Sequence, residues 1–214
     1  MANNEKKKNT LVKDTIAIFL ITLVAGVLLG LVYQITKETI ADREVEATNQ
    51  AYAAVYDGAK FTEDEDLNKK VEAFNEDLSA GKVECASGYN LSDVVLSSVM
   101  VADKGGYVLT ASGKGYGGAV KVALGIDAEG NIVGIQITDC TNETPGLGQN
   151  SSKEEWNSQF KEATTEKLPV VNKDKEGAKG ESKEVSAISG ATITSRAVTR
   201  AVDGALLFVQ SVSK

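Results

Sequence analysis

Near the C-terminus, Ser189-Gly190-Ala191-Thr192-Ile193-Thr194 runs straight into an apolar helical pattern. That order puts hydroxyls and a run of backbone N–H groups at the mouth of a helix. First-turn N–H groups lack intrahelical acceptors and sit at the positive end of the helix dipole, so a phosphate is electrostatically welcome there. Gly190 and Ala191 are small enough for an anion to approach the backbone. The helix is marked by Val198, Val202, Ala205, Leu206 and Val209, which recur at three- and four-residue spacing and form one apolar stripe. Composition alone leaves a plainer reading open, because a helix opening on Ser or Thr is also what ordinary capping looks like. Arg196 and Arg200 are candidate cations for such an anion, or solubilising residues of an exposed helix face.

A second stretch, Glu143-Thr144-Pro145-Gly146-Leu147-Gly148, follows a hairpin pattern running from Gly115 to Ile137. By itself it is a turn, since Pro-Gly and Gly punctuate loops whatever their function. Gly117 and Gly118, next to Tyr116, permit a close backbone approach or a bulge.

Taken together and in this order, the stretch from Val185 to Ser195 and the ETPGLG loop resemble the two motifs of the FMN-binding domain family. That family includes the G subunit of Rnf-type ferredoxin:NAD oxidoreductase complexes and the C subunit of the sodium-pumping NADH:quinone reductase. The resemblance covers about residues 88 to 211 and the N-terminal anchor. It implies that the threonine closing the Ser/Thr-Gly-Ala-Thr tetrad, Thr192 here, carries FMN through a phosphoester bond made by a separate flavin transferase. It further implies polar contacts from Glu143 and Thr144, a ring slot lined by Tyr116 and Leu147, and a cofactor environment completed by Ser189, Gly190, Ala191, Thr194, Ser195, Gly146 and Gly148. Two positions depart from the family pattern: Ser186 stands where an acidic residue is usual, and Thr141 stands nearest the place of a usual His.

The expected function is an electron-carrying flavoprotein subunit, most similar to the Rnf type, which works with the other subunits of its complex and binds neither NAD nor ferredoxin itself. The chain's shorter length favours this over the C subunit of the quinone-linked pump. A membrane-anchored binding or scaffold protein is the alternative from another class, in which both motifs are only a cap and a turn. Tethering suits a carrier, because a fixed cofactor holds a fixed distance to its redox partners. Thr192 would be an attachment point, and no acid–base constellation is visible.

These residues must be carried on something. Thr15 to Tyr33 is uncharged for nineteen residues, twelve of them Leu, Ile, Val or Phe, which is close to the length needed to cross a hydrocarbon core as a helix. Lys6, Lys7, Lys8 and Lys13 precede it, whereas Lys37 and Arg43 after it are outnumbered by Glu38, Asp42, Glu44 and Glu46. The positive-inside rule then places residues 1–14 in the cytoplasm and the rest outside. No small-x-small cleavage site follows the span, so an uncleaved anchor is expected.

Beyond the anchor, residues 34–87 read as a helical stalk reaching about Ala59 and a connecting segment, with an amphipathic stretch from Leu67 to Leu78; residues 88–214 read as the FMN-binding domain. Strand signals begin near Ser92 and recur at Tyr107 to Ala111. Val120, Val122, Leu124 and Ile126 alternate strictly, Asp127 to Gly130 supplies a turn, and Ile132 to Ile137 returns. A helix is expected around Glu154 to Glu166, and a solvated polar loop from Asn172 to Lys183. The sum is an α+β domain, an antiparallel sheet with packed helices behind one transmembrane helix. A net charge of −7 argues against nucleic acid as a partner. With no His and only Cys85 and Cys140, a protein-built metal site is not expected, and pairing of the two thiols is undecided.

Overall fold

The computed structural model describes residues 2–213. The chain divides into two compact units, Met1–Glu46 and Ala47–Lys214. The first is helical and belongs to α1 (Ala2–Val55). Within it Lys13–Lys37 is long and apolar enough to cross a membrane, with its large apolar side chains exposed. The second unit begins with the last turns of α1, so these turns, β1 (Phe61–Glu63) and α2 (Glu65–Ser79) share one unit with everything that follows.

That unit is an α+β fold. Its main sheet has five strands in sequential order, each antiparallel to its neighbour: β1, β2 (Val95–Ala102), β3 (Tyr107–Lys114), β4 (Ala119–Ile126) and β5 (Ile132–Asp139). Short polar turns make this order possible. Between β4 and β5, the Asp127 carboxylate accepts from the N–H groups of Glu129 and Asn131, and Gly130 adopts φ +84°, a conformation that glycine enters without a Cβ clash. After β5 come a single turn, α3 (Glu154–Asn157), and two strands that pair in parallel, β6 (Pro169–Val171) and β7 (Lys183–Val185). The chain closes on α4 (Thr192–Val212).

The period-2 pattern sorts the sheet into two faces. Leu109, Ala111, Val122, Leu124, Ile135 and Ile137 join Val198, Val202, Ala205 and Leu206 of α4 in the main core. The amphipathic helix α2 joins the same core through Leu67, Val71 and Leu78, and Phe74 meets Phe208 edge to face at 5.4 Å. Its start is capped by the Asp64 carboxylate, which accepts from the N–H groups of Asp66 and Leu67.

The second face of the sheet is covered as well: Ala123 of β4 is buried, because the end of α1 packs on that face with Ala51, Tyr52 and Val55. Small residues allow this: a Cβ on Gly125 or Gly134 would collide with the Val55 carbonyl. The helix expected over Glu154 to Glu166 is only α3 and a 3-10 turn, Ser158–Glu162. It stops because the next backbone groups are claimed by the sheet: the Ala163 carbonyl accepts from Ile132 N–H, and Thr164 bridges to Asn131. Similarly, α1 ends at Val55, before the expected Ala59.

Candidate functional site

The start of α4 lies at the edge of a cavity of about 540 Å³ lined by segments distant in sequence. Tyr116 comes from the β3–β4 turn; Glu143, Thr144, Leu147 and Gly148 come from the loop after β5; Gly190, Ala191, Thr192, Ile193 and Thr194 form the helix mouth. Lys173, from the polar stretch between β6 and β7, completes the lining.

The helix mouth has no side-chain cap: its N-cap residue is Ala191. The first intrahelical bond runs from Ser195 N–H to the Ala191 carbonyl at 3.0 Å, which leaves the N–H groups of Thr192, Ile193 and Thr194 as the donors of an unfinished turn. Gly190 turns the chain into the helix at φ +74°. Ser195, expected near the anion, instead faces inward and is buried. Its hydroxyl accepts from Ile188 N–H and donates to the Ala191 carbonyl, both at 3.0 Å, so it pins the turn from behind. Ser189 is exposed and lies off the cavity lining.

The loop after β5 is built to present Leu147 and to bury Glu143. Thr144-Pro145-Gly146-Leu147 closes a tight turn through Leu147 N–H to the Thr144 carbonyl at 3.1 Å, with Gly146 at φ +75°. Pro then Gly at the two central positions is the sequence that favours a type II turn. Gly146 therefore shapes the loop and does not line the cavity. Glu143 is 3% exposed, accepts from Gly117 N–H at 2.9 Å and takes a short hydrogen bond from the Thr194 hydroxyl. One carboxylate thus ties together the turn, the loop and the helix. Glycine is needed around it, since a Cβ on Gly115 or Gly148 would run into that carboxylate.

The two arginines of α4 are committed to carboxylates. Arg196 binds Asp174 with two hydrogen bonds of 2.7 and 2.6 Å, and Tyr89 donates to the same carboxylate at 2.9 Å. The Arg196 hydrogen bonds hold the Asp174 carboxyl below the usual carboxylate range, and burial pushes the Tyr89 phenol up. Arg200 bonds Asp93 at 2.7 Å and the Lys114 carbonyl at 3.0 Å. Neither arginine lines the cavity. Lys173 does, and its ammonium donates to Thr192 Oγ1 at 3.2 Å. Sequence reasoning passed over Lys173, and over Ile193 inside the hexad; the lysine sits inside a charge-rich stretch, and the β6–β7 pairing with the side-chain bonds of Asn172 and Asp174 carries it to the helix mouth.

The cavity joins two kinds of surface. On one side stand the threonine hydroxyl, the free N–H groups and the lysine, a fit for an anion. On the other, Tyr116, Leu147 and Ile193 are 73%, 40% and 47% exposed, an apolar margin of the sort that receives a flat ring. Leu147 closes against the backbone at Gly190, where a Cβ would lie 3.0 Å from Leu147 Cδ2. A flavin phosphate and an isoalloxazine fit these residues. Among the described residues no group of His, Cys, Asp or Glu is placed to hold a metal ion, and Cys85 and Cys140 are free thiols.

The FMN-binding domain family model matches residues 115–207, a range that includes the whole cavity lining. The G subunit of the Na(+)-translocating ferredoxin:NAD(+) oxidoreductase complex of Acetobacterium woodii is 36% identical over 92% of this chain and 90% of its own length. The proton-translocating counterpart of Clostridium ljungdahlii is 30% identical over 94% and 93%. The chain belongs to this family of FMN-binding G subunits. Among solved structures, the C subunit of the Na(+)-translocating NADH-quinone reductase of Parabacteroides distasonis is similar at 20% identity and a TM-score of 0.44, covering 68% of this chain and 94% of that one.

Proposed function

We propose that this member of the G-subunit family carries FMN as a phosphoester on Thr192 and relays electrons within a membrane-bound, ion-translocating ferredoxin:NAD oxidoreductase complex. The observation that carries the reading is the joint placement, on one cavity, of the Thr192 hydroxyl, an uncapped helix start and an apolar margin. When bound, the flavin supplies one- and two-electron chemistry. The chain's own residues hold and orient it. The N–H groups of the first turn would hold the phosphate, the Glu143 carboxylate keeps the loop and helix mouth in register, and Tyr116, Leu147 and Ile193 would offer the ring an apolar surface. Attachment is the work of a separate flavin transferase, and the other subunits of the complex are the electron partners.

The span within Lys13–Lys37 anchors the chain, and the lysines before it keep the N-terminus cytoplasmic, so the flavin-bearing unit lies outside. Intact mass spectrometry of protein co-produced with the transferase tests the central claim. A gain equal to FMN less one water, mapped to the peptide containing Thr192, is expected; unmodified mass with flavin released on denaturation would overturn the covalent assignment.

A further inference from the structure

A phosphodiester on Thr192 keeps one negative charge, and the first-turn N–H groups offer it only partial charges. The full cation nearest in sequence is Arg196, yet its guanidinium is occupied by both oxygens of Asp174, and Arg200 is held by Asp93. Lys173 is different. Among the described residues its ammonium bonds to Thr192 Oγ1 and to no carboxylate.

The backbone at Lys173 is also fixed from both sides. Before it, Asn172 accepts from Ala187 N–H at 3.3 Å, just ahead of the helix mouth. After it, Asp174 is fastened to Arg196 of α4 and to Tyr89. The Arg196–Asp174 pair, whose arginine is a candidate for the anion on sequence grounds, thus works as the bracket that holds a neighbouring lysine over the threonine.

Resting on the attachment of FMN at Thr192, we propose that Lys173 is the phosphate-pairing residue: it steadies the threonine oxygen for transfer and then neutralises the finished phosphodiester. The transfer forms a Thr192 Oγ–P bond and breaks a P–O bond in the donor. The donor must be a flavin phosphoanhydride, so that a phosphate monoester leaves with the bonding pair; expelling hydroxide from a simple flavin phosphate would be far harder. Lys173 enters as an ammonium and remains one. The threonine proton goes to a base of the transferase or to water, and the lysine moves its hydrogen bond from Oγ1 to a phosphoryl oxygen.

The test uses the full chain co-produced with its flavin transferase, comparing wild type with Lys173→Gln, Lys173→Ala, Lys173→Arg and Thr192→Ala. The labelled fraction is followed over time by in-gel flavin fluorescence and intact mass. A charge-assisted hydrogen bond at an exposed site predicts labelling slowed by about five- to tenfold in the Gln and Ala variants, with Arg close to wild type. Added salt should narrow the gap between wild type and Lys173→Gln, because screening acts on charge and would leave a packing defect unchanged. Melting curves of the unlabelled proteins are expected to coincide.

Labelling of Lys173→Gln and Lys173→Ala at the wild-type rate, with Thr192→Ala unlabelled, would sink the lysine proposal and leave the attachment reading standing. An Arg variant as slow as Ala would sink it too, by showing that charge is not what this position supplies. A wild type that never takes the label would remove the Thr192 reading and the proposal with it.

Discussion

Two threonines two residues apart at the mouth of α4 have different work to do. Thr192 is partly exposed on the cavity and accepts from Lys173, whereas Thr194 is buried and donates to the Glu143 carboxylate. Thr192→Ala is therefore expected to abolish the covalent flavin while leaving the melting temperature of the unlabelled protein unchanged. Thr194→Val removes a donor from a buried carboxylate, which costs roughly 1–3 kcal/mol, and should lower both stability and labelling. Denaturant melts and in-gel fluorescence on the two variants separate these roles; equal loss of flavin with equal loss of stability would merge them. A third residue, Asp203, acts far from the cavity lining. Its carboxyl is wholly buried in α4, where Ser87 donates to Oδ2 at 2.5 Å, Cys85 Sγ approaches at 3.4 Å and Oδ1 has no partner among the described residues. Burial pushes the acid well above its ordinary value, and desolvation with the Asp203 charge raises the Cys85 thiol to about 12. A carboxyl raised in the folded state contributes stability that is complete below its unfolded value and is lost as the pH climbs toward the folded one. Asp203→Asn should flatten that decline, so in chemical melts the variant gains on wild type as the pH rises above the ordinary carboxylate range.

At the scale of elements, the legible parts are those whose signal is local. The hairpins of β3, β4 and β5 announce themselves through period-2 alternation and the Asp127–Gly130 turn, and α4 through its stripe. Features that depend on a second element leave no such mark. The end of α1 reads as a stalk, because Ala51, Tyr52 and Val55 look like any helical residues until a sheet face is beside them. The matching signal is scattered over other strands as the small residues Ala123, Gly125 and Gly134. The candidate site divides the same way: Thr192, Glu143 and Leu147 lie in the two motifs and Tyr116 follows from the family resemblance, while Lys173 depends on a parallel pairing between short strands that no local pattern marks. The contact of α1 with the sheet carries a prediction of its own. Tyr52 is fully buried and bonds Thr110 Oγ1 at 3.0 Å, so Tyr52→Ala should cost about 3–5 kcal/mol. Gly134→Ala forces the Val55 backbone away and should cost about 1–3 kcal/mol. If both variants melt like wild type, the last turns of α1 contribute nothing to the sheet.

For the whole molecule, the division at Glu46 has a physical meaning that truncation can test. The unit from Ala47 onward holds both hydrophobic clusters, including the Tyr52 layer, and every residue of the cavity. The unit before it offers a lipid-length helix with exposed apolar side chains, and none of its described residues belongs to that core. A chain starting at Ala47 is expected to remain in the soluble fraction, melt in one cooperative transition, and accept flavin on Thr192 when it meets the transferase in the same compartment. A start at Ala59 removes Tyr52 and Val55, exposes Val108 and Ala123, and should lower the midpoint or aggregate. The full chain should sediment with membranes and resist extraction by salt, since an apolar span is held by the hydrophobic effect and not by charge. The proposed sidedness rests on the lysines before the span: protease added to intact spheroplasts is expected to remove the unit that carries Thr192, and to spare it if Lys6, Lys7, Lys8 and Lys13 are all replaced by Glu, because the charge bias is then reversed. Protection of the wild-type domain in that experiment would put the flavin on the cytoplasmic side and reverse the direction in which the protein faces its electron partners.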